Sequence, residues 1–297
     1  MDGPAKAPPI ALAPDASTRE AFLVVVGACL AHADANAAGV DAEGDPEALH
    51  QLRVAYRRLR SAFSLHRKVC RDDPRARALT ERLRALTAAF GPARDLDVFL
   101  AAHRDLDEDE VARVRQLRVD AYAAAAQAVR APALPAWRAE LQAWLDTAWL
   151  GSEHPGSARR SASAALTLRR DRIARRGRDL VALTPARRHR VRIEAKKLRY
   201  GCQFYGSLWP GREASVWAYE QALATLQDQL GLLNDGVVWS GIRADAGIAT
   251  PEPPVDVPRT LAAAQITWHG VVGSPMFWLP TGGRRRSVPA RGARMTP

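Results

Sequence analysis

Two stretches of the chain set cations at helical spacing. One reads Asp45-Pro46-x-x-x-His50-x-Leu52-Arg53-Val54-x-x-Arg57-Arg58-Leu59-Arg60, the other Thr184-Pro185-x-x-x-His189-x-Val191-Arg192-Ile193-x-x-Lys196-Lys197-Leu198-Arg199. Projected as helices at about 100° per residue, His50, Arg53, Arg57 and Arg60 fall within an arc of about 80°, opposite Leu52, Tyr56, Leu59 and Phe63. In the second copy His189, Arg192, Lys196 and Arg199 share one face, and Val191, Ala195, Leu198 and Cys202 the other. Each helix therefore has one face for a core and one for an anion. Like charges three or four residues apart destabilise a helix by roughly 0.2 to 0.5 kcal/mol per pair, so each stripe costs on the order of 1 kcal/mol with nothing bound. The chemistry on offer is recognition: arginine brings forked donors for phosphate or carboxylate oxygens, and lysine a more adaptable point charge.

Arg and Lys along one helical face are usually just solvated surface. The matched His, Arg and Lys positions in both copies argue against that here. The duplication also extends downstream, where Glu81-x-Leu83-x-x-Leu86-x-x-x-Phe90-Gly91-x-x-Arg94-Asp95-x-x-Val98 answers Gln221-x-Leu223-x-x-Leu226-x-x-x-Leu230-Gly231-x-x-Asn234-Asp235-x-x-Val238. The chain thus reads as two similar halves. Gly91 and Gly231 are expected to end helices as left-handed C-caps. Asp95 and Asp235 either begin the next helix as N-caps or reach back to hold an arginine of the stripe, with the structural role preferred.

Helices are expected almost throughout. Residues 1–16, rich in Ala and Pro, read as extended, and a first helix starts after Ser17 or Thr18 and runs to about Ala38. Asp45-Pro46, Asp73-Pro74 and Thr184-Pro185 each place an N-cap ahead of a proline at the first helical position. The helix after Asp73 is expected to end near Phe90, with another following Arg94. A long helix over about 108–130 opens with acidic residues that suit its dipole, and Pro132 ends it. Trp137, Leu141 and Trp144 mark the core face of the next. Residues 151–157 suit a linker between the halves, and a further helix over about 161–180 is so rich in arginine that its charges surround most of its circumference, so none is assigned to the site. Beyond Asp245 the repeat is lost: only about 259–272 looks helical, and the stretch 246–297 is expected to be poorly defined and largely disordered, with Arg284, Arg285, Arg286, Arg291 and Arg294 in a basic tail.

At 297 residues and 47% hydrophobic, the chain can bury a substantial core in one or two domains. A formal net charge of +11 favours an anionic partner, whether polyphosphate, nucleic acid or an acidic membrane surface. Three scattered cysteines, Cys29, Cys70 and Cys202, read as reduced core residues of a cytoplasmic protein, without metal-ligand spacing. The apolar run at 21–31 is too short to span a bilayer and lacks a basic leader, so it reads as a buried helix.

The phrase Leu49-His50-Gln51-Leu52-Arg53-Val54-x-x-Arg57-Arg58-Leu59-Arg60-Ser61, with Lys196-Lys197-Leu198-Arg199-Tyr200 and Leu232-Leu233-Asn234-Asp235, resembles the CHAD domain, the conserved histidine α-helical domain, over residues 17–245. The resemblance implies an all-α fold of two pseudo-symmetric four-helix bundles, with halves at about 17–150 and 158–245 and basic helices facing a central channel. It also implies binding of inorganic polyphosphate, no catalytic activity, and no cofactor or metal. The matching residues are His50, Arg53, Arg57, Arg58 and Arg60, with His189, Arg192, Lys196, Lys197 and Arg199. Residues 5–12 resemble the linker that joins CHAD domains to a CYTH-type triphosphatase domain, but the Glu-x-Glu-x-Lys motif of that enzyme is absent from the chain. A polyphosphate chain carries about one charge per phosphate and no bases to read, so dense donors at helical spacing suffice. Surrounded by cations, His50 and His189 should resist protonation when free and take up protons when a polyanion binds. Nucleic-acid binding is the competing reading, although no Trp lies within either stripe and no nucleic-acid-binding signature is found. Polyphosphate granules are the expected cellular setting, and no membrane insertion is expected.

Overall fold

The computed structural model describes residues 3–41, 45–66, 70, 72–148, 156–249 and 256–280. Among the described residues the chain is all-α, with ten α-helices: α1 (Thr18–Ala37), α2 (Pro46–Leu65), α3 (Pro74–Leu86), α4 (Phe90–Ala102), α5 (Glu108–Arg130), α6 (Ala133–Thr147), α7 (Ala158–Arg176), α8 (Pro185–Tyr205), α9 (Glu213–Asp245) and α10 (Val257–Gly273). Most starts are set by local chemistry. Ser17 and Asp107 form capping boxes with Glu20 and Glu110. Asp45, Asp73 and Thr184 each accept from backbone N–H groups of the first turn, with proline just inside the helix. Each such cap contributes about 1 kcal/mol.

The basic helices α2 and α8 lie near the centre. α2 packs on α1, α3 and α4, α8 packs on α7 and α9, and the two touch one another. Leu49, Leu52, Ala55, Leu59, Val191, Ala195, Leu198 and Cys202 are wholly buried, so the apolar face of each amphipathic helix supplies the core. The tryptophans expected in the core are there: Trp137 donates to Leu79 O at 2.9 Å and Trp144 to an Asp73 carboxylate oxygen at 2.6 Å. α1 has the length and apolar content of a membrane-crossing segment, with a mean hydropathy of 1.2, but its Phe22, Val25, Val26 and Cys29 are buried inside the fold against α2 and α7.

Three expectations need correcting. Among the described residues, left-handed backbone occurs only at Gly156, Gly211 and Gly247, so neither Gly91 nor Gly231 is a left-handed cap. Gly91 lies in the first turn of α4 and Gly231 in the middle of α9. Correspondingly, Asp95 and Asp235 lie inside helices and cap neither. The helical break in the first half falls at 87–89, because Pro92 lacks the N–H that would bond to residue 88 and its ring clashes with that carbonyl. The second half has Leu232 in its place, and α9 runs on unbroken. The third correction concerns the end of the chain: α10 packs on α9 and α7, Trp268 donates to Ile173 O at 3.0 Å, and Phe277 and Trp278 are buried. The basic cluster at 284–294 lies outside the described residues, as does most of the expected linker at 151–157.

Residues 3–16 are extended but tied down. Ala5 N donates to Asn36 Oδ1 at 3.0 Å, Asn36 Nδ2 returns a bond to Ala5 O at 2.9 Å, and Leu12 N donates to Ser207 Oγ at 2.8 Å. Ile10 and Leu12 are buried between these anchors. The segment is a strap across α1 and the end of α8.

Candidate functional site

The polar faces of α2 and α8 meet at an open cleft of about 650 Å³. α2 supplies His50, Arg57 and Arg58, and α8 supplies Arg192, Lys196 and Arg199. Residues 6–10 of the strap form one wall and α9 contributes Glu220 and Asp228. A smaller cleft of about 250 Å³ adjoins it through Arg57, which lines both, and adds Arg53, Arg60 and Arg84. Eight of the ten expected residues therefore line two hollows that share an arginine.

Several of these side chains are held before any ligand arrives. Arg57 Nε donates to Tyr200 Oη at 3.1 Å, a bond between the two halves. Arg58 is buried, donates to Gln203 Oε1 at 2.7 Å and lies over the Phe204 ring at 5.0 Å. Arg53 donates to Phe90 O and sits 3.7 Å from an Asp95 carboxylate oxygen. Arg192 Nε donates to Gln227 O at 3.4 Å. Arg199 Nε is buried and finds no acceptor among the described residues.

Two expected residues lie elsewhere. His189 shares a hydrogen bond of 2.7 Å between its Nδ1 and Asn234 Oδ1, in a separate depression with Leu230, Leu233 and Val237. Lys197 lines neither cleft and sits in the field of Arg169, Glu194 and Arg172. There the arginines of α7 turn inward: Glu194 accepts from Arg169 at 2.8 Å and Arg176 at 3.0 Å, with Arg172 at 3.5 Å. Three of the arginines are thus directed at one internal carboxylate, which offsets one of their charges, and the helix presents no single basic stripe.

Crowding of like charge in a half-dry cleft shows in the titration of its groups. Burial, and then Arg57, Arg192, Arg199 and Arg53, push the Lys196 ammonium down to about 6. His50 is also lowered, first by burial and then by Arg94. Burial takes Arg53 down to about 10 against the opposing pull of Asp95. Asp95 and Asp235 are raised by burial, with Arg53 and Arg192 respectively holding them back. A polyanion entering the cleft would oppose the lowering of Lys196, His50 and Arg53 and raise the two carboxyls further.

The sequence did not single out Arg84, Lys6 or Gln203, which come to the clefts from other elements. Arg84 lies on a helix of scattered charge, and Lys6 on a strap whose course no periodicity reveals. Among the described residues no group of three or more His, Cys, Asp or Glu side chains is placed to hold a metal ion.

Comparison with known proteins agrees on one family. The model of the CHAD domain matches residues 24–244. Among solved structures, the chain is similar to the crystal structure of the CHAD domain from the plant Ricinus communis, with a TM-score of 0.77 and 30% identity, over 93% of this chain and 98% of that one. No curated protein matches the chain.

Proposed function

The chain belongs to the CHAD domain family, and we propose that it binds inorganic polyphosphate without cleaving it. The observation that carries this reading is the convergence of His50 and Arg57 from one half with Arg192, Lys196 and Arg199 from the other on a single cleft. Donors on both walls suit a flexible polyanion that offers only phosphate oxygens, and partial exclusion of water strengthens each contact. Arg57 lines both clefts, so one chain laid across it reaches from the cleft at Lys196 to that at Arg60 and Arg84. His50, Arg53, Arg57, Arg58, Arg60, Arg192, Lys196 and Arg199 touch the polymer, whereas His189 and Lys197 add only to the field around it. The protein then acts in the cytoplasm as a binding or granule-targeting module.

Nucleic acid is the competing ligand, but base stacking finds little platform here, because neither cleft is lined by a tryptophan and the rings that reach them, Tyr200, Tyr56 and Phe90, are buried. Competition decides: long-chain polyphosphate should displace DNA or RNA at far lower concentration than the reverse, and the opposite order overturns the proposal. The absence of cleavage is checked separately. Phosphate release from tripolyphosphate with magnesium or manganese, abolished by replacing one carboxylate such as Glu220, would make the protein an enzyme.

A further inference from the structure

We propose that Gly91 with Asp95, and Gly231 with Asp235, are two cradles that aim Arg53 and Arg192 at the polyphosphate; this inference rests on the functional reading above. The two pairs stand at matching places in the sequence repeat, and each meets the matching arginine. A Cβ built on Gly91 would lie 3.4 Å from Arg53 Nη1, and one on Gly231 would lie 3.3 Å from Arg192 Nη2 and 3.5 Å from its Nε. Neither glycine needs its conformational freedom, since both have ordinary helical backbone. In a helix glycine is less stable than alanine. What glycine provides at these two places is room for a guanidinium beside bare helix backbone.

The same bare backbone also accepts hydrogen bonds. Arg53 donates to Phe90 O, next to Gly91, and Arg192 Nε donates to Gln227 O, one turn before Gly231. One turn beyond each glycine stands the carboxylate. Asp95 lies 3.7 Å from Arg53 Nη2, and Asp235 is the leading counter-charge acting on Arg192. α4 packs on α9, and the two aspartates are close enough to feel one another, so the cradles adjoin across the boundary between the halves. A carboxylate beside a polyanion site is an electrostatic liability. Its presence twice at matching positions makes sense if holding the arginine outweighs the repulsion.

The opposing signs make the test sharp. Coulomb's law alone says that Asp95→Asn and Asp235→Asn bind polyphosphate more tightly, since each removes a negative charge. Positioning says that each binds about five- to tenfold more weakly, the cost of misdirecting one charged hydrogen bond. Gly231→Ala should raise the thermal midpoint, as alanine favours the helix, and yet weaken binding by a similar factor. Polyphosphate affinity at fixed salt and thermal midpoint would be measured on the full chain for all three variants and the wild type. Unchanged or tighter binding in the aspartate variants, or wild-type affinity in Gly231→Ala, overturns the cradles and leaves the function standing. A wild type that fails to bind polyphosphate overturns the functional reading, and the cradles with it.

Discussion

Polyphosphate binding near neutral pH should draw protons from solution, and Lys196 sets how many. In the free protein its ammonium is pushed to about 6 by burial and by Arg57, Arg192, Arg199 and Arg53. At pH 7.5 such a group holds only ~0.03 of a proton, whereas a lysine returned to its ordinary range by an adjacent polyanion holds about one. Uptake of about one proton per bound segment follows, with a further fraction from His50, which burial and Arg94 hold in its neutral form. Calorimetric titration in several buffers of differing ionisation enthalpy measures this directly, as the slope of observed enthalpy against buffer enthalpy. The slope should be near one at pH 7.5, fall as the pH approaches 5, and drop to the His50 fraction in Lys196→Met. A slope near zero in the wild type, or an unchanged slope in Lys196→Met, would refute the account of Lys196. The sign for stability follows from the same shift. Between pH 10 and about 6 the unfolded chain binds a proton at this lysine that the folded chain does not, so folding weakens as pH falls through that window, and bound polyphosphate should cancel the effect.

Other outcomes are as definite. Arg57→Ala removes the residue common to both clefts and should weaken polyphosphate binding by about ten- to a hundredfold while flattening its salt dependence by roughly one charge; wild-type affinity and slope would end the continuous-groove model. Tyr200→Phe removes only the acceptor that holds Arg57 Nε and should cost a few-fold in affinity with the salt slope intact. Arg53→Ala and Arg192→Ala should couple in a double-mutant cycle of affinities, and strict additivity would mean that the halves bind separate chains. Glu194→Gln removes the counter-charge of Arg169 in the interior, where both partners are only 5% exposed, leaving Arg169 its bonds to Ser64, and should lower unfolding stability by about 3 kcal/mol in urea. The native Glu194 carboxyl is held below its ordinary value against burial, chiefly by Arg169. Its contribution is therefore present above about pH 4.5 and lost as pH falls through the depressed native value.

Much of this molecule was legible in its sequence because its signals are local. A cap followed by proline fixes where α2, α3 and α8 begin whatever packs around them, and the periodicity of Leu52, Tyr56 and Leu59 against Arg53, Arg57 and Arg60 states which face turns inward. What could not be read depends on three-dimensional proximity. Gly91 and Gly231 look like caps to any local rule, and only the arrival of a guanidinium from another helix explains them. His189 matches His50 in the repeat, yet its Nδ1 bonds to Asn234, where the first half has Arg94. Likewise, the spacing of the α7 arginines assigns none of them to the site, and only Glu194, on α8, determines that Arg169, Arg172 and Arg176 turn inward. Of residues 256–280 the sequence showed only the helix over about 259–272 and not its docking, because what docks it is a handful of large side chains, Trp268, Phe277 and Trp278, rather than a pattern.

The amino-terminal strap gives the molecule a built-in point of observation. Residues 6–10 are a wall of the cleft, and Ala5 beside them is fastened to Asn36 through both its N–H and its carbonyl. A dye coupled to the thiol of Ala7→Cys is therefore held at the mouth of the cleft and should report its occupation directly.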